Sequence, residues 1–385
     1  MSPDVVVVGA RAAGAATAML LARQGLDVLV LDRSRYGADT LSTHALMRAG
    51  VLQLHRWGLL DQVVAAGTPA VRRTTFTFGD ARLAINIKAS HGVDALYAPR
   101  RTILDPILVD AAAGAGAEVR FGVTVTDVRR DRAGRVTGIV GCDGDGRHVE
   151  VSARLVVGAD GLRSTIARCV DAPIERAGTG AGAFVYGYWS GLATDGYEWI
   201  FRPGAIAGVI PTNFDQACVF AGASPRRIGK GGIGTLREVI TEAAPDVAAR
   251  LAVATPPPGV RTFTGCPGFI RRSWGPGWAL VGDAGYWKDP LSAHGLTDAL
   301  RDAELLARAV VESLDDDRAE RDSLAGYQAT RDHLSAELFT TIDAIAAQQW
   351  TDDEIGDLLE QLSSSMAEEV EALAALDAVA AGGRF

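Results

Sequence analysis

Cysteine and histidine are scarce in this chain, and those present lack the spacings that build dithiol or metal sites. The four cysteines include no C-x-x-C pair, which argues against a redox-active dithiol and predicts buried, reduced thiols. The six histidines include no H-x-H, H-x-x-H or H-E-x-x-H. We therefore expect no metal site.

Excess positive charge and long apolar runs are also absent. The net charge of −9 argues against a nucleic-acid partner. No apolar run approaches the roughly 18 residues of a transmembrane helix, and no basic region precedes the first apolar segment. We expect no membrane span and, by default, a cytoplasmic location. With 385 residues, 48% of them hydrophobic, the chain can form a large core and two or three structural units.

The N-terminal part of the chain has the pattern of a strand, a helix and a second strand. Residues 5–8 are four valines, β-branched and apolar on both faces, as a central parallel strand requires. Residues 12–23 are rich in alanine and leucine and favour a helix. The apolar residues 28–31 form a second strand that ends at Asp32. Together they predict a βαβ unit.

The turn between the first strand and the helix has the spacing of a nucleotide site. Gly9 permits a tight turn, Gly14 lets the helix pack close to the strand, and the helix N-terminus offers N–H groups to a pyrophosphate. Asp32 follows Gly9 by 23 positions, near the roughly 20 expected for a carboxylate that binds a ribose hydroxyl. Arg11 replaces the usual middle glycine, and its guanidinium can supply charge to the phosphates. Asp32 argues against the 2′-phosphate of NADP, so FAD and NAD remain open.

Further along, short apolar runs resume the buried-strand pattern. The run 155–158 is followed by Asp160-Gly161, and the run 278–281 by Gly282-Asp283. Between them, residues 181–264 read as short strands rich in aromatic residues, interrupted by a helix over 235–251. Aromatic residues on one face of such a sheet can form either the floor of an apolar pocket or part of the core.

These patterns predict an α/β protein in which a Rossmann-like nucleotide domain is interleaved with an antiparallel β-sheet substrate domain and followed by C-terminal helices. A hairpin over 74–78 and 83–87 starts the sheet domain. The predicted boundaries are 1–72, 97–178 and 265–325 for the nucleotide domain, 73–96 and 179–264 for the sheet domain, and 326–385 for the helical region.

Three motifs occur in a specific order: Gly9 to Gly14 with Asp32, then residues 158–164, then Gly282-Asp283-Ala284 with Pro290 and Gly295. Over residues 4–325 this set resembles the FAD-dependent monooxygenases of the para-hydroxybenzoate hydroxylase fold, a group that includes flavin-dependent halogenases and geranylgeranyl-type reductases. The resemblance implies noncovalent FAD as the cofactor and NAD(P)H as a transient co-substrate.

The resemblance also implies which residues bind FAD. Those for the ADP half are Gly9, Arg11, Ala13, Gly14, Asp32 and Arg33, with Val125 touching the adenine through its backbone. Asp160 and Gly161 lie by the pyrophosphate, Gly282 and Asp283 by the ribityl chain, and Arg101 contacts the flavin. The isoalloxazine ring runs along residues 290–297, including Pro290, Ala293, His294, Gly295, Leu296 and Thr297. A helix N-terminus there would stabilise the anionic reduced ring.

The sequence departs from the family patterns at three places. The halogenase signature W-x-W-x-I-P is missing, which argues against halogenation. The segment 197–203 is close to the Y-x-W-x-F-P motif of geranylgeranyl reductases, but Arg202 interrupts it. The frequent G-D-A-A-H continues here as Gly285-Tyr286 after Ala284, which leaves the contacts after Asp283 open.

The leading hypothesis is an NAD(P)H-consuming monooxygenase of secondary metabolism that hydroxylates or epoxidises an apolar small molecule, aromatic or polyketide-like, with O₂ through the family's flavin C4a-hydroperoxide. The alternatives are a flavin-dependent reductase of isoprenoid double bonds and a non-catalytic flavin-binding protein. His44 is the candidate catalytic acid or base, and the alternative for it is a histidine that hydrogen-bonds backbone near a helix start. Substrate identity, NADH or NADPH, and oligomeric state stay open.

Overall fold

The strands and helices follow the predicted alternation along the chain. The computed structural model describes residues 2–314 and 316–380. The strands are β1 (Val5–Val8), β2 (Val28–Asp32), β3 (Arg73–Phe78), β4 (Ala81–Asn86), β5 (Glu118–Phe121), β6 (Thr124–Arg130), β7 (Val136–Cys142), β8 (His148–Ser152), β9 (Leu155–Gly158), β10 (Ile174–Ala177), β11 (Ala183–Ser190), β12 (Tyr197–Arg202), β13 (Ala205–Thr212), β14 (Gln216–Ala223), β15 (Arg261–Phe263), β16 (Phe269–Arg271), β17 (Trp274–Gly275), β18 (Trp278–Leu280) and β19 (Tyr286–Trp287). The α-helices are α1 (Ala12–Arg23), α2 (Arg48–Arg56), α3 (Leu60–Ala65), α4 (Arg101–Gly114), α5 (Thr165–Cys169), α6 (Pro225–Ile228), α7 (Ile233–Ala243), α8 (Pro245–Val253), α9 (Gly295–Ser313), α10 (Asp317–Ala346) and α11 (Asp352–Ala380).

The first sheet has six strands in the order β17-β18-β9-β1-β2-β5. All of its pairs are parallel except β17 with β18. The valines of β1 are buried on both faces, because α1 packs on one side and the β6-β7-β8 meander on the other. Gly9 adopts a φ of +108°, and a Cβ on Gly14 would lie 1.8 Å from the Gly9 carbonyl oxygen. Both glycines are therefore required by the predicted strand-to-helix turn.

The second sheet has seven strands in the order β15-β11-β14-β13-β12-β3-β4. It is antiparallel except for β12 and β3, which run parallel. The predicted hairpin is confirmed as β3 and β4, which turn at Gly79 and Asp80. One face packs its aliphatic residues against α7 and α8. The other gathers the aromatic residues, and part of it is core against α10 and α11.

One predicted element is wrong in detail. The region predicted as a single helix over 235–251 is two helices, α7 and α8, which meet at Ala244. Ala244 has φ −144° and ψ 68°, outside the α region, because the following Pro245 disfavours α geometry at the residue before it. Pro245 then begins α8.

The C-terminal region is helical as predicted, with α10 and α11 joined by a short turn. The predicted region 326–385 extends past residue 380, and residues 381–385 lie outside the described part of the chain. The domain boundaries given above stay a prediction. Across the described residues, no helix combines the length and hydropathy needed to cross a membrane.

Candidate functional site

The carboxyl ends of four parallel strands meet at one edge of the six-stranded sheet. Gly9 follows β1, Asp32 ends β2, Asp160 follows β9 and Asp283 follows β18. Ligands of open parallel sheets bind in the crevice outside the carboxyl ends of the strands. The fold thus brings together residues from all three sequence motifs.

Asp32 stabilises the turn after β1 by hydrogen bonding. Its Oδ2 accepts a hydrogen bond from the Ala10 N–H at 2.7 Å, and its Oδ1 accepts from the N–H and the hydroxyl of Ser34 at 2.7 and 2.5 Å. Asp32 also lines a narrow cleft together with Phe121. Arg33, the next residue, is exposed.

Two arginines converge on one carboxylate at the N-terminal ends of α1 and α4. Arg11 donates to Asp105 Oδ2 at 3.3 Å, and Arg101 donates to both Asp105 oxygens at 2.8 and 3.0 Å. One negative charge shared by two guanidiniums leaves net positive charge beside two helix N-termini. Such a site suits a pyrophosphate.

Asp160 and Gly161 follow β9, the strand next to β1 in the sheet. Asp160 caps α5 by accepting from the Thr165 and Ile166 N–H groups at 2.6 and 3.2 Å, and burial raises its pKa. Gly161 has no atom within 4 Å of the place where a Cβ would lie. A side chain there would extend into open space beside the crevice.

Asp283 presents a carboxylate that accepts no hydrogen bond from the described residues. Burial raises its pKa to about 6, and Lys288 and Arg101 partly oppose this shift. Gly282 has a φ of +61°, and a Cβ on it would lie 3.0 Å from the Cβ of Ala13. This close approach sets Asp283 at the start of α1.

The predicted ring-binding segment leads into the N-terminus of α9. Pro290 begins a short 3-10 turn, and Ala293 has a φ of +51° before the helix starts at Gly295. Gly295 is exposed and has no atom within 4 Å of its would-be Cβ. The N–H groups of Gly295 and Leu296, in the first turn of α9, have no intrahelical acceptor, so this helix end can receive an anionic group. Thr297 accepts from the Met47 N–H at 3.2 Å and holds this end against α2.

These observations fit FAD. An unpaired carboxylate at Asp283, positive charge at Arg11 and Arg101, and open space at Gly161 and Gly295 are what ribityl hydroxyls, a pyrophosphate and a flat ring need. Val125 is buried with Val8 and Leu31 on the meander side of the sheet.

His294 differs from its neighbours in the segment, because its side chain is fully buried away from solvent. Its Nε2 donates to Glu369 Oε2 of α11 at 2.6 Å, and Arg301 donates to the other oxygen of Glu369 at 2.8 Å. Lys288 pairs with Asp298 in the same cluster. One ligand atom each of His294, Asp298 and Glu369 lies within 4.8 Å of the others, a spacing that a metal ion can bridge. Lys288 and Arg301 already provide the positive charges that balance these two carboxylates.

Sequence reasoning missed this buried ion cluster of Lys288, Asp298, Arg301, Asp302 and Glu369. Burial lowers the pKa of Lys288 to about 7 and the neighbouring cations hold that of Glu369 at about 2. The available signal was the spacing of Asp298 and Arg301, four and seven positions after His294, which puts them on one helix face.

A cavity of about 100 Å³ lies between the aromatic face of the second sheet and the Pro290–Ala293 segment. It is lined by Leu41, Ser42, Thr43, Phe184, Tyr186, Trp199, Phe220, Phe263, Trp287, Pro290 and Ala293. The aromatic face is therefore pocket at one end and core at the other.

His44 is buried directly after the cavity-lining Ser42 and Thr43. Its Nε2 forms a hydrogen bond with the Tyr188 hydroxyl, and the two rings stack with centroids 5.5 Å apart. The side chain thus pairs with a phenol rather than with backbone. Burial, with the charges of Arg100 and other arginines, holds the His44 pKa well below its usual value.

The family described as FAD binding domain matches residues 2–341 of this chain. The chain belongs to this FAD-binding domain family. Its cofactor is FAD, and it is a flavoprotein oxidoreductase, as the resemblance implied.

Proteins similar to this chain include reductases. The chain is similar to digeranylgeranylglycerophospholipid reductase 1 of Methanopyrus kandleri, with 29% identity over 351 residues covering 85% of each chain. It is also similar to menaquinone reductase of Mycolicibacterium smegmatis, with 27% identity covering 79% of this chain and 75% of the relative.

Solved structures share the fold. The flavin-dependent brominase Bmp2 superposes with a TM-score of 0.80 at 18% identity, covering 98% of this chain and 99% of the other. PqsL of P. aeruginosa in complex with 2-aminobenzoylacetate superposes with a TM-score of 0.78 at 24% identity, covering 93% and 99%. The predicted para-hydroxybenzoate hydroxylase fold is confirmed.

Proposed function

We propose that this member of the FAD-binding domain family is a monooxygenase that uses NAD(P)H and O₂ to hydroxylate or epoxidise a compact apolar molecule. The observation that carries this proposal is the aromatic cavity against the Pro290–Ala293 segment. Its volume of about 100 Å³ is several times the roughly 10–15 Å³ that one water needs. An aromatic or polyketide-like ring system is the matching substrate class, and a cytoplasmic role in secondary metabolism is part of the proposal.

The proposed roles of the residues follow from their positions. Arg11, Asp32 and Arg101 hold the ADP half of FAD, and Asp283 orients the ribityl chain. The N-terminus of α9 stabilises negative charge on the ring. Bound FAD supplies hydride acceptance from NAD(P)H and activation of O₂.

His44 is proposed to manage a proton beside the substrate. Its lowered pKa keeps the imidazole neutral near pH 7, and burial raises the pKa of Tyr188 so that the phenol stays protonated. A neutral imidazole can accept a hydrogen bond from the protonated phenol, and the neutral form is the one that can take up a proton during the reaction. Tyr188 is held in turn by Arg100, whose guanidinium carbon lies 3.4 Å from the ring centroid.

Reduction of an isoprenoid double bond is the second candidate. The two relatives named above are reductases, and the Y-x-W-x-F residues Tyr197, Trp199 and Phe201 of β12 all face the aromatic cluster. Trp199 also lines the cavity. The small volume of the cavity favours a compact ring over a long isoprenoid chain. We therefore rank the reductase below the monooxygenase.

Isotope labelling separates the candidates. FAD-loaded protein is supplied with NADH or NADPH, ¹⁸O₂ and a panel of compact aromatic molecules, and products are read by mass spectrometry. A product that gains one ¹⁸O atom is expected. A product that gains two hydrogens under anaerobic conditions would establish the reductase instead, and no NAD(P)H oxidation with any substrate would favour a non-catalytic flavoprotein.

A further inference from the structure

The lining of the aromatic cavity carries no ionisable acid or base of the Asp, Glu, Lys, Arg or His type. This holds for all eleven lining residues, which lie within the described chain. Its walls are apolar except for the hydroxyls of Ser42, Thr43 and Tyr186. A carboxylate or ammonium group placed there would lose its hydration without gaining a counter-ion. The lining therefore selects uncharged molecules.

The indole N–H groups of the lining are already used outside the cavity. Trp199 donates to Thr74 Oγ1 at 3.1 Å, and Trp287 donates to the Cys266 carbonyl at 3.2 Å. Neither remains to recognise a ligand. The indoles contribute flat apolar surface, which suits an aromatic ring.

The hydroxyl of Tyr186 can still donate a hydrogen bond. Its hydroxyl oxygen accepts a hydrogen bond from the Ser42 N–H at 3.0 Å, while its own proton has no acceptor among the residues that the structure describes. Burial raises the pKa of Tyr186, so the hydroxyl stays protonated. A phenol that already accepts one bond and still holds its proton is a donor to a ligand oxygen.

Two arginines near this edge of the sheet share one carboxylate. Arg261 lies opposite Tyr186 in the β11–β15 ladder and pairs with Asp39 at 2.7 Å. Arg100 approaches the same carboxylate at 3.9 Å. Neither arginine lines the cavity, so a charged ligand inside it would form no ion pair with the lining.

We propose that the cavity binds an uncharged aromatic molecule whose carbonyl or ether oxygen accepts a hydrogen bond from Tyr186, which makes Tyr186 a specificity-determining residue. This inference rests on the proposed function only in taking the cavity as the substrate site.

Three probes of similar size test the proposal by equilibrium titration of FAD-loaded protein at pH 7.5. The probes are 1-tetralone, which is neutral with a carbonyl, tetralin, which lacks the carbonyl, and 1-naphthoate, which is charged. Quenching of tryptophan fluorescence reads binding, because Trp199 and Trp287 line the cavity. We expect 1-tetralone to bind about three- to tenfold more tightly than tetralin, as one hydrogen bond allows, and 1-naphthoate to bind weakest.

Tyr186→Phe should remove the advantage of 1-tetralone and leave tetralin binding unchanged. The matched control is Tyr197→Phe, because Tyr197 lies on a strand of the same sheet and its buried hydroxyl does not line the cavity. Binding of 1-naphthoate as tight as that of 1-tetralone would overturn the selection for neutral molecules, and so would the absence of saturable binding by any probe. An unchanged preference in Tyr186→Phe would overturn the role of Tyr186. Turnover is not measured, so a protein that binds as expected yet incorporates no oxygen keeps this inference and loses the monooxygenase assignment.

Discussion

Glu369 of the C-terminal helix α11 accepts a hydrogen bond at 2.6 Å from Nε2 of His294, the residue that precedes α9. The second oxygen of the same carboxylate accepts from Arg301 at 2.8 Å. All three side chains are at most 2% exposed. The last helix of the described chain is thereby tied to the end of α9 that borders the proposed flavin ring.

Glu369→Gln should destabilise the protein strongly. The change removes the carboxylate partner of His294 and leaves Arg301 with only Asp298 and Asp302. Loss of one partner from a buried charge cluster costs about 3–5 kcal/mol in measured cases. Urea unfolding followed by circular dichroism measures this loss. Glu371→Gln is the control, because Glu371 is 71% exposed and pairs with His91 at the surface, and a change below about 0.5 kcal/mol is expected. Equal losses in the two variants would contradict the structural role of the cluster.

The sequence predicts those parts of the fold and site that depend on local patterns. It does not predict contacts between segments that are distant along the chain. Gly9, Gly14 and Asp32 stand within one βαβ unit, so their spacing alone predicts the turn. Nothing local in the sequence indicates that Glu369 of α11 reaches His294 and Arg301 at the start of α9. The cavity is likewise formed by residues 41–43 meeting strands far along the chain. The break at Pro245 was readable, since proline disfavours helix in the preceding residue.

Asp283→Ala should weaken FAD binding about 10–100-fold, as loss of a hydrogen-bonding charged group allows. The proposal is that this otherwise unpaired carboxylate binds the ribityl chain. Quenching of FAD fluorescence on titration with apoprotein gives the dissociation constant. Asp145→Ala serves as the control, because Asp145 is 70% exposed in a turn. Uptake of FAD that is unaltered in both Asp283→Ala and Asp32→Ala would refute the proposed site.

Gly295→Val should also weaken FAD binding while leaving the fold intact. The new side chain meets no protein atom within 4 Å at its Cβ, so it occupies only the space proposed for the ring. Thermal unfolding of the apoprotein should shift little, and FAD titration should show the loss. Gly114→Val on α4 has equally open surroundings and controls for valine in a helix. If both variants bind FAD alike, the ring lies elsewhere.

His44→Ala should lower the fraction of NAD(P)H oxidation that yields oxygenated product. Without the imidazole, Tyr188 loses its buried partner and the proposed proton acceptor beside the cavity is gone. Consumption of NAD(P)H, formation of hydrogen peroxide and formation of product are compared in one assay. His333→Ala is the control, because His333 is exposed on α10. Unchanged turnover and coupling in His44→Ala would remove His44 from the chemistry.

Asp289 should make stability depend on pH below neutrality. Its buried carboxylate accepts from the N–H groups of Gly182 at 2.6 Å and Leu291 at 3.0 Å, yet burial raises its pKa from 3.8 to about 7. Between these values the folded protein holds a proton that the unfolded chain has released, so this group's contribution to stability falls as the pH rises from about 4 to 7.

Asp289→Asn keeps a neutral side chain at all pH values and should lose this part of the pH dependence. We expect the wild-type protein to lose 1–4 kcal/mol more than the variant between pH 4 and 7, an order-of-magnitude figure from the shift in pKa. Urea unfolding at both pH values, with FAD at saturation, measures the difference. Asp357→Asn, a change at an exposed position of α11, should follow the wild type. A variant with the wild-type slope would mean that Asp289 stays ionised, with its two backbone N–H donors outweighing the cost of burial.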